Sequence, residues 1–220
     1  SDADGNVYVT GDIAGPDGRG ESVTIKYGPE GDLLWATRSG SPGGGQSLAA
    51  IAVDAAGNVY VAGGEAREAG NTDVVTIKYD PMGKELWTAY RDWSANDDAR
   101  FLALDAAGNV YVTGASVRYT EGPESTSHED IATVKYGPDG TEIWTVSFNG
   151  PGGANDVASA LRVDPEGHAY IAGTTYGSAG DDPNGASADF ITIKYDMDGQ
   201  QLWSAGYGGL GMTNDTAHAA

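Results

Sequence analysis

The segment Asp54-Ala55-Ala56-Gly57-Asn58-Val59-Tyr60 decides the fold, because closely related segments recur three more times along the chain. These read D-A-D-G-N-V-Y from Asp2, D-A-A-G-N-V-Y from Asp105 and D-P-E-G-H-A-Y from Asp164. A period of about 50 residues is typical of proteins that repeat one supersecondary unit. We therefore expect residues 1–220 to form a single repeat domain with four units, anchored at Asp2, Asp54, Asp105 and Asp164.

Two further blocks recur in each copy. One reads V-T-I-K-Y from Val75, with counterparts at Val23, Ala132 and Ile191, and the other ends in Trp35, Trp87, Trp144 or Trp203. In the second copy, the blocks predict short strands at Leu48–Val53, Val59–Ala62, Val74–Tyr79 and Glu85–Tyr90. These runs are β-branched and aromatic, and Gly, Pro, Asn and Asp separate them, which predicts an antiparallel meander without helices.

Four repeated four-stranded sheets are typical of a β-propeller, in which neighbouring sheets cover each other's apolar faces. The C-terminal residues 214–220 align with the start of an innermost strand at 155–161, and Ser1-Asp2 aligns with the end of that strand. We therefore expect an all-β, four-bladed propeller of four-stranded antiparallel blades. The C-terminal strand would close it by joining the N-terminal blade. Closure in trans, by strand exchange between two chains, is the alternative.

The patterns D-x-x-G-N-V-Y-V-T-G and T-I-K-Y-x-P-x-G-x-x-L-W resemble the SBBP-type β-propeller repeat of bacterial proteins. The resemblance covers essentially the whole chain, although the fourth copy departs from it at Glu166-Gly167-His168-Ala169. It implies a bacterial, exported protein, extracellular or at the cell surface, that serves as a scaffold or interaction module.

Composition excludes several classes of partner. Asp and Glu number 32 against 12 Lys and Arg, which gives a formal net charge of −20. Such a surface repels phosphate backbones, so we expect no nucleic-acid partner. No apolar run is long enough to span a bilayer, so we expect no membrane insertion. The chain has no cysteine, and therefore neither a disulfide nor a thiolate metal site. Protein or glycan partners remain.

The residues common to all copies are expected to serve packing. Glycines such as Gly57 should supply the positive φ of a hairpin turn, and Asp54 should accept hydrogen bonds from its amides. The repeated tryptophans and tyrosines should fill the interfaces between units. Repeated lysines, such as Lys78, need a partner in a turn or in a neighbouring unit. Because no catalytic constellation stands apart from the repeat, the sequence predicts a protein that is not an enzyme and has no cofactor.

Binding is expected on the face that carries the connections between second and third strands and between successive units, since these vary most. The candidate ligand-binding residues are Trp93, Arg118, Tyr119 and Tyr176. Trp93, together with neighbouring amides and acids, suits a sugar ring, with simple loop packing as the alternative. Asp97, Asp156 and Asp215 occupy equivalent positions and suggest a Ca²⁺ site, unless each only caps the turn into its strand.

The sequence thus predicts an extracellular, non-enzymatic structural or interaction module, with self-assembly into a fibre or surface layer as its leading form. A glycan- or protein-binding propeller that uses the variable loop face is one alternative. A carbohydrate-active enzyme with loop carboxylates is the other, because paired acids perform general acid–base catalysis.

Overall fold

A computed structural model describes residues 1–14, 20–40, 45–67, 70–119, 127–150, 153–177 and 188–208. These residues form fifteen β-strands. The strands are β1 Val7–Ala14, β2 Gly20–Tyr27, β3 Leu33–Ser39, β4 Gln46–Val53, β5 Val59–Ala66, β6 Thr72–Tyr79, β7 Glu85–Arg91, β8 Asn96–Leu104, β9 Val110–Tyr119, β10 Ser127–Tyr136, β11 Glu142–Phe148, β12 Asp156–Val163, β13 Ala169–Tyr176, β14 Ala188–Tyr195 and β15 Gln201–Tyr207. The described part of the chain contains no helix long and apolar enough to cross a membrane.

The strands follow the repeats. We call β1–β3 unit 1, β4–β7 unit 2, β8–β11 unit 3 and β12–β15 unit 4. Within each unit, consecutive strands pair antiparallel, as Val59 opposite Tyr79 illustrates. The turn before β5 forms as predicted: Asp54 accepts hydrogen bonds from the amides of Ala56 and Asn58 at 2.9 and 2.8 Å, and Gly57 has φ of 81°. The all-β prediction and the strand positions are confirmed.

The predicted ring of four separate blades is wrong. The strands lie in three sheets of three, eight and four strands, and none of them is closed. Units 2 and 3 merge into one sheet because Thr72 of β6 forms a parallel bridge with Asn96 of β8. Unit 1 has three described strands, and the C-terminal segment that we expected to complete it lies outside the described residues.

Successive units pack through the repeated tryptophans. Trp144 of unit 3 lies 5.8 Å from Tyr111 of its own unit and 6.3 Å from Tyr195 of unit 4, measured between ring centroids. Its indole N–H donates to the carbonyl of Met197, in the turn between β14 and β15, at 3.0 Å. Trp35 and Trp87 make the same hydrogen bond to Pro81 and Pro138 of the following units.

The turn glycine makes room for this ring. A Cβ at Gly199 would lie 2.8 Å from Trp144, and Gly83 and Gly140 meet Trp35 and Trp87 in the same way. Predicted interface packing is thus confirmed for Trp35, Trp87 and Trp144. It is wrong for Trp203, which is 44% exposed, because no described unit follows unit 4.

The repeated lysines also find their partners across these junctions. Lys78 and Lys135 are buried and donate to the carbonyls of Pro138 and Met197 at 3.0 and 2.9 Å. The Lys135 ammonium also lies 4.9 Å from the centre of the Tyr111 ring. The expected partner in a neighbouring unit is therefore a turn carbonyl, and a cation–π contact adds to it.

Candidate functional site: a cleft between units 2 and 3

A polar cleft of about 240 Å³ opens at the junction of units 2 and 3. Two of the predicted ligand-binding residues, Trp93 and Arg118, line it. The remaining lining residues are Arg91, Ser94, Ser116, Asp130, Thr145, Val146 and Ser147. The cleft thus combines one indole ring with guanidinium, hydroxyl and carboxylate groups.

The loop that carries Trp93 is fixed by a buried carboxylate. Asp97, 1% exposed, accepts hydrogen bonds from the backbone amides of Trp93 and Ser94, the latter at 3.0 Å. The indole N–H of Trp93 donates to the Thr145 hydroxyl at 2.9 Å, so the ring is also held at its polar edge. Burial raises the pKa of Asp97, although the two amide bonds oppose this shift. The ring therefore lies in the cleft wall in a fixed orientation.

Two arginines supply the positive charge of the cleft. Arg118 binds the buried carboxylate of Asp130 through both Nε and Nη2, and this paired geometry raises the pKa of the guanidinium. Arg91 lies 3.4 Å from Glu142 through Nη1. Its Nε is buried and, among the described residues, has no hydrogen-bond partner. A buried donor without an acceptor costs free energy.

The cleft exists because small residues replace large ones at equivalent repeat positions. At the junction of units 1 and 2, Glu65 is fully buried and accepts hydrogen bonds from Gln46 at 2.8 Å and from Tyr90 at 3.3 Å. Ser116 stands in unit 3 where Glu65 stands in unit 2, and Ser147 stands where Tyr90 stands. The shorter side chains leave open the space that Glu65 and Tyr90 occupy at the first junction.

A second cleft, of about 410 Å³, occupies the equivalent place between units 3 and 4. Phe148 and Asn149 replace Arg91 and Asp92 there, and Thr175 and Gly206 stand where the first junction has Glu65 and Tyr90. This wall is less charged, and no tryptophan lines it.

The other predicted binding residues lie elsewhere. Tyr119 is 56% exposed, and its hydroxyl accepts a hydrogen bond from the Asn96 amide group at 3.3 Å. Tyr176 is half-buried in unit 4, where its backbone amide bonds to Asn155. Neither residue lines the cleft with Trp93. Their role in binding stays a prediction.

The predicted Ca²⁺ residues have the arrangement of turn caps. Asp156 is 1% exposed and accepts a hydrogen bond from the Gly150 amide at 2.6 Å, as Asp97 does from its own loop. Burial raises the pKa of Asp156, opposed by the Gly150 amide. Asp215 lies outside the described residues. Neither Asp97 nor Asp156 belongs to a group of three metal-ligating side chains within the described ranges.

A cluster that could hold a metal lies instead in the turn before β13. Ligand atoms of Asp164, Glu166 and His168 all lie within 4.8 Å of one another. His168 Nδ1 is 2.8 Å from Asp164, and the Tyr170 hydroxyl donates to the same carboxylate at 3.0 Å. Burial would raise the pKa of Asp164, but hydrogen bonds from His168 and Tyr170 outweigh it and lower the pKa to about 2. Mixed imidazole and carboxylate ligands suit a transition metal better than Ca²⁺.

The sequence signal for this cluster was the departure of the fourth copy from the repeat. His168 occupies the place of Asn58, whose side-chain amide donates to Asp54 at 2.8 Å. The imidazole makes the equivalent contact through Nδ1. Unlike the amide of Asn58, it has a second ring nitrogen, Nε2, that can bind a metal.

No protein-family model matches this chain, so the resemblance to the SBBP repeat stays a prediction. The regulatory protein FlaEY of Caulobacter vibrioides is 32% identical over 130 residues, which cover 53% of this chain and 13% of FlaEY. An uncharacterized WD repeat-containing protein of Acanthamoeba polyphaga mimivirus is 27% identical over 172 residues, or 66% of this chain and 12% of that protein. The WD-repeat relative and the all-β fold support a fold of the β-propeller type.

Similar solved structures include cobalt-substituted Synechocystis apocarotenoid oxygenase, with a TM-score of 0.47 and 12% identity, and an apocarotenoid oxygenase/RPE65 chimera, with a TM-score of 0.48 and 12% identity. Each alignment covers 92% of this chain and 66% of the other. Because these neighbours are forms of an oxygenase, the prediction that the chain is not an enzyme is withdrawn. The likeness assigns no activity to this chain.

Proposed function

We propose that this chain is an exported interaction module that binds a sugar residue of a glycan in the cleft between units 2 and 3. One observation carries the proposal: Trp93, held in place by Asp97 and Thr145, lines a 240 Å³ cleft together with arginine, carboxylate and hydroxyl groups. Cell-surface location follows from the resemblance to exported repeats and is part of the same proposal.

The chemistry of the cleft suits a sugar better than an apolar ligand. A sugar ring has an apolar face that stacks on an indole and hydroxyls that both donate and accept hydrogen bonds. Arg91 donates, Asp130 accepts, and Ser94, Ser116 and Ser147 do either. The space is sufficient for one ring, so the rest of a glycan would lie outside the cleft.

Isothermal titration calorimetry of the chain with a panel of neutral and acidic monosaccharides and short oligosaccharides tests the proposal. Binding should weaken about fivefold or more in Trp93→Ala, because a stacking contact on an aromatic ring contributes about 1–3 kcal/mol. Tyr119→Ala is the control, since this exposed aromatic residue lies outside the cleft lining.

A second variant fills the cleft. Ser147→Tyr places in unit 3 the ring that Tyr90 supplies in unit 2, where it lies over Arg67, the counterpart of Arg118. Because Ser147 is exposed, this variant should fold, and it should lose binding. Glycan binding that survives both Trp93→Ala and the filled cleft would refute the proposal, as would a panel without any ligand. Release of a cleaved sugar during the titration would instead indicate the carbohydrate-active enzyme.

A further inference from the structure

The two ends of the row of units carry complementary halves of the contact that joins its interior. At each internal junction, a tryptophan covers the turn glycine of the next unit and donates to the carbonyl two residues before that glycine. This contact occurs three times, from Trp35 to Gly83, from Trp87 to Gly140 and from Trp144 to Gly199. Each end of the row carries one partner of this contact: the tryptophan at the C-terminal end and the turn glycine at the N-terminal end.

The C-terminal end presents the tryptophan without its turn. Trp203 is 44% exposed, whereas Trp144, at the same position of unit 3, is 9% exposed. Lys194 lies 4.9 Å from the ring centre of Tyr170, as Lys135 does from that of Tyr111. The lysine–tyrosine contact of an internal junction is thus present at this end. Among the described residues no carbonyl accepts a hydrogen bond from Trp203.

The N-terminal end presents the turn and its apolar face without the tryptophan. Val7 and Val9 are each 46% exposed, whereas their counterparts Val59 and Val61 are fully buried against unit 1. Gly31 has φ of 85°, like Gly83, but a Cβ added to it would meet no atom of the described residues within 4 Å. The space over this turn is therefore open, whereas Trp35 fills the equivalent space at Gly83.

We propose that the chain associates head to tail with a second copy of itself, with Trp203 of one copy over the Gly28–Gly31 turn of the next. The indole N–H then donates to the Pro29 carbonyl, which occupies the place of Pro81 and Pro138 in the turn. Val7 and Val9 become covered by unit 4 of the neighbour. The second copy is the occupant because this chain carries both halves of a contact that its own interior makes three times. The inference is independent of the sugar site.

The interface is heterologous, so each copy uses a different end. The acidic surface opposes it, because two copies of net charge −20 repel each other. Added salt screens that repulsion and leaves the apolar contact intact. Association should therefore strengthen as ionic strength rises, the opposite of a contact formed by salt bridges.

Sedimentation velocity of the full chain across a concentration series measures the association. We expect the mass to rise from that of a 22.6 kDa monomer toward two copies or more. Trp203→Ala should raise the dissociation constant about thirtyfold or more, as is usual for a central aromatic residue in an interface. Ile143→Ala is the control, because Ile143 is 50% exposed in an internal unit.

Glycine variants test the other end with a close match. Gly31→Ala and Gly70→Ala both place a side chain at positive φ, at 85° and 79°, with no described atom near the new Cβ. Within one copy they should therefore cost the same stability. Only Gly31→Ala puts its Cβ against an incoming tryptophan, at the 2.7–2.8 Å separation found for the internal glycines. It should abolish association, whereas Gly70→Ala should keep it.

Mixing the two defective chains tests the polarity of the contact. Trp203→Ala retains an intact N-terminal end, and Gly31→Ala retains an intact C-terminal end. The mixture should form pairs and nothing larger, although neither variant associates alone. A chain that stays monomeric at every concentration overturns the proposal, and so does association that survives either variant or a mixture that does not pair.

Discussion

The tryptophans of units 3 and 4 offer a test of junction packing within one chain. Trp144→Ala should destabilise the monomer far more than Trp203→Ala, although both remove the same side chain from the same repeat position. Trp144 is 9% exposed, touches Tyr111 and Tyr195, and fills the space over Gly199. Trp203 is 44% exposed, and no described unit follows unit 4.

Removal of a buried tryptophan costs about 3–5 kcal/mol through lost transfer free energy and the cavity left behind. In Trp144→Ala the Met197 carbonyl still accepts a hydrogen bond from Lys135 at 2.9 Å. No buried acceptor is left unsatisfied, so the variant has no further cost in free energy from that carbonyl. Trp203 has little partner surface to lose, and its removal should cost about 1 kcal/mol. The expected difference of about 3 kcal/mol corresponds to about 6–12 °C in Tm for a chain of this size.

Urea and thermal unfolding, followed by far-UV circular dichroism at concentrations where the chain is monomeric, measure both losses. Hydrogen exchange shows which part of the chain loses stability, because repeat proteins open unit by unit and Trp144 packs unit 3 against unit 4. Amides of β13 and β14 should lose protection in Trp144→Ala, while those of β5 keep it. Equal destabilisation by the two variants, or uniform loss of protection, would refute the account of the junctions.

Three further variants have defined expectations. Gly114→Ala places a Cβ 1.9 Å from the Asp98 carbonyl oxygen and should lower the free energy of unfolding by at least about 3 kcal/mol. Gly11→Ala, at the same position of unit 1, meets no described atom within 4 Å and should be nearly neutral. Denaturant unfolding measures both variants. Burial raises the pKa of Asp97, so its charge costs stability as pH rises through that raised value. Asp97→Asn, which keeps an oxygen for both amides, should be the more stable chain at pH 7, and the difference should disappear below the ordinary carboxyl pKa of about 4. His168→Asn should abolish Zn²⁺ or Co²⁺ binding, measured by calorimetry, and leave the melting temperature of the metal-free chain unchanged, because Asn occupies this place in the sister turns.

Local chemistry explains why much of the fold was predictable from sequence. The hairpin before β5 formed as expected because Asp54, Gly57 and Asn58 satisfy its hydrogen bonds within seven residues. The strand positions of unit 2 were predictable in the same way, because runs of β-branched and aromatic residues bounded by turn residues mark strands locally. Only the far ends of the strands extended beyond the prediction, as in β5, which continues to Ala66.

The cleft was half predictable. Trp93 was predictable as the one tryptophan outside the repeat pattern and Arg118 as part of a variable connection, and both line the cleft. Asp130, Ser116 and Ser147 were missed because strand residues were assigned to packing. Comparison of Ser116 with Glu65 and of Ser147 with Tyr90 would have revealed the cavity, since a small residue that replaces a large buried one leaves space.

The sequence by itself determined the repeat, the antiparallel meander and the turn chemistry, because these depend on contacts between residues close along the chain. Only the tertiary structure decided how the units join. It placed the bridge from Thr72 to Asn96 that merges two of them, and it left Val9 and Trp203 exposed at opposite ends. Identical local patterns bury a valine in one unit and expose it in another, because burial depends on whether a neighbouring unit covers the face.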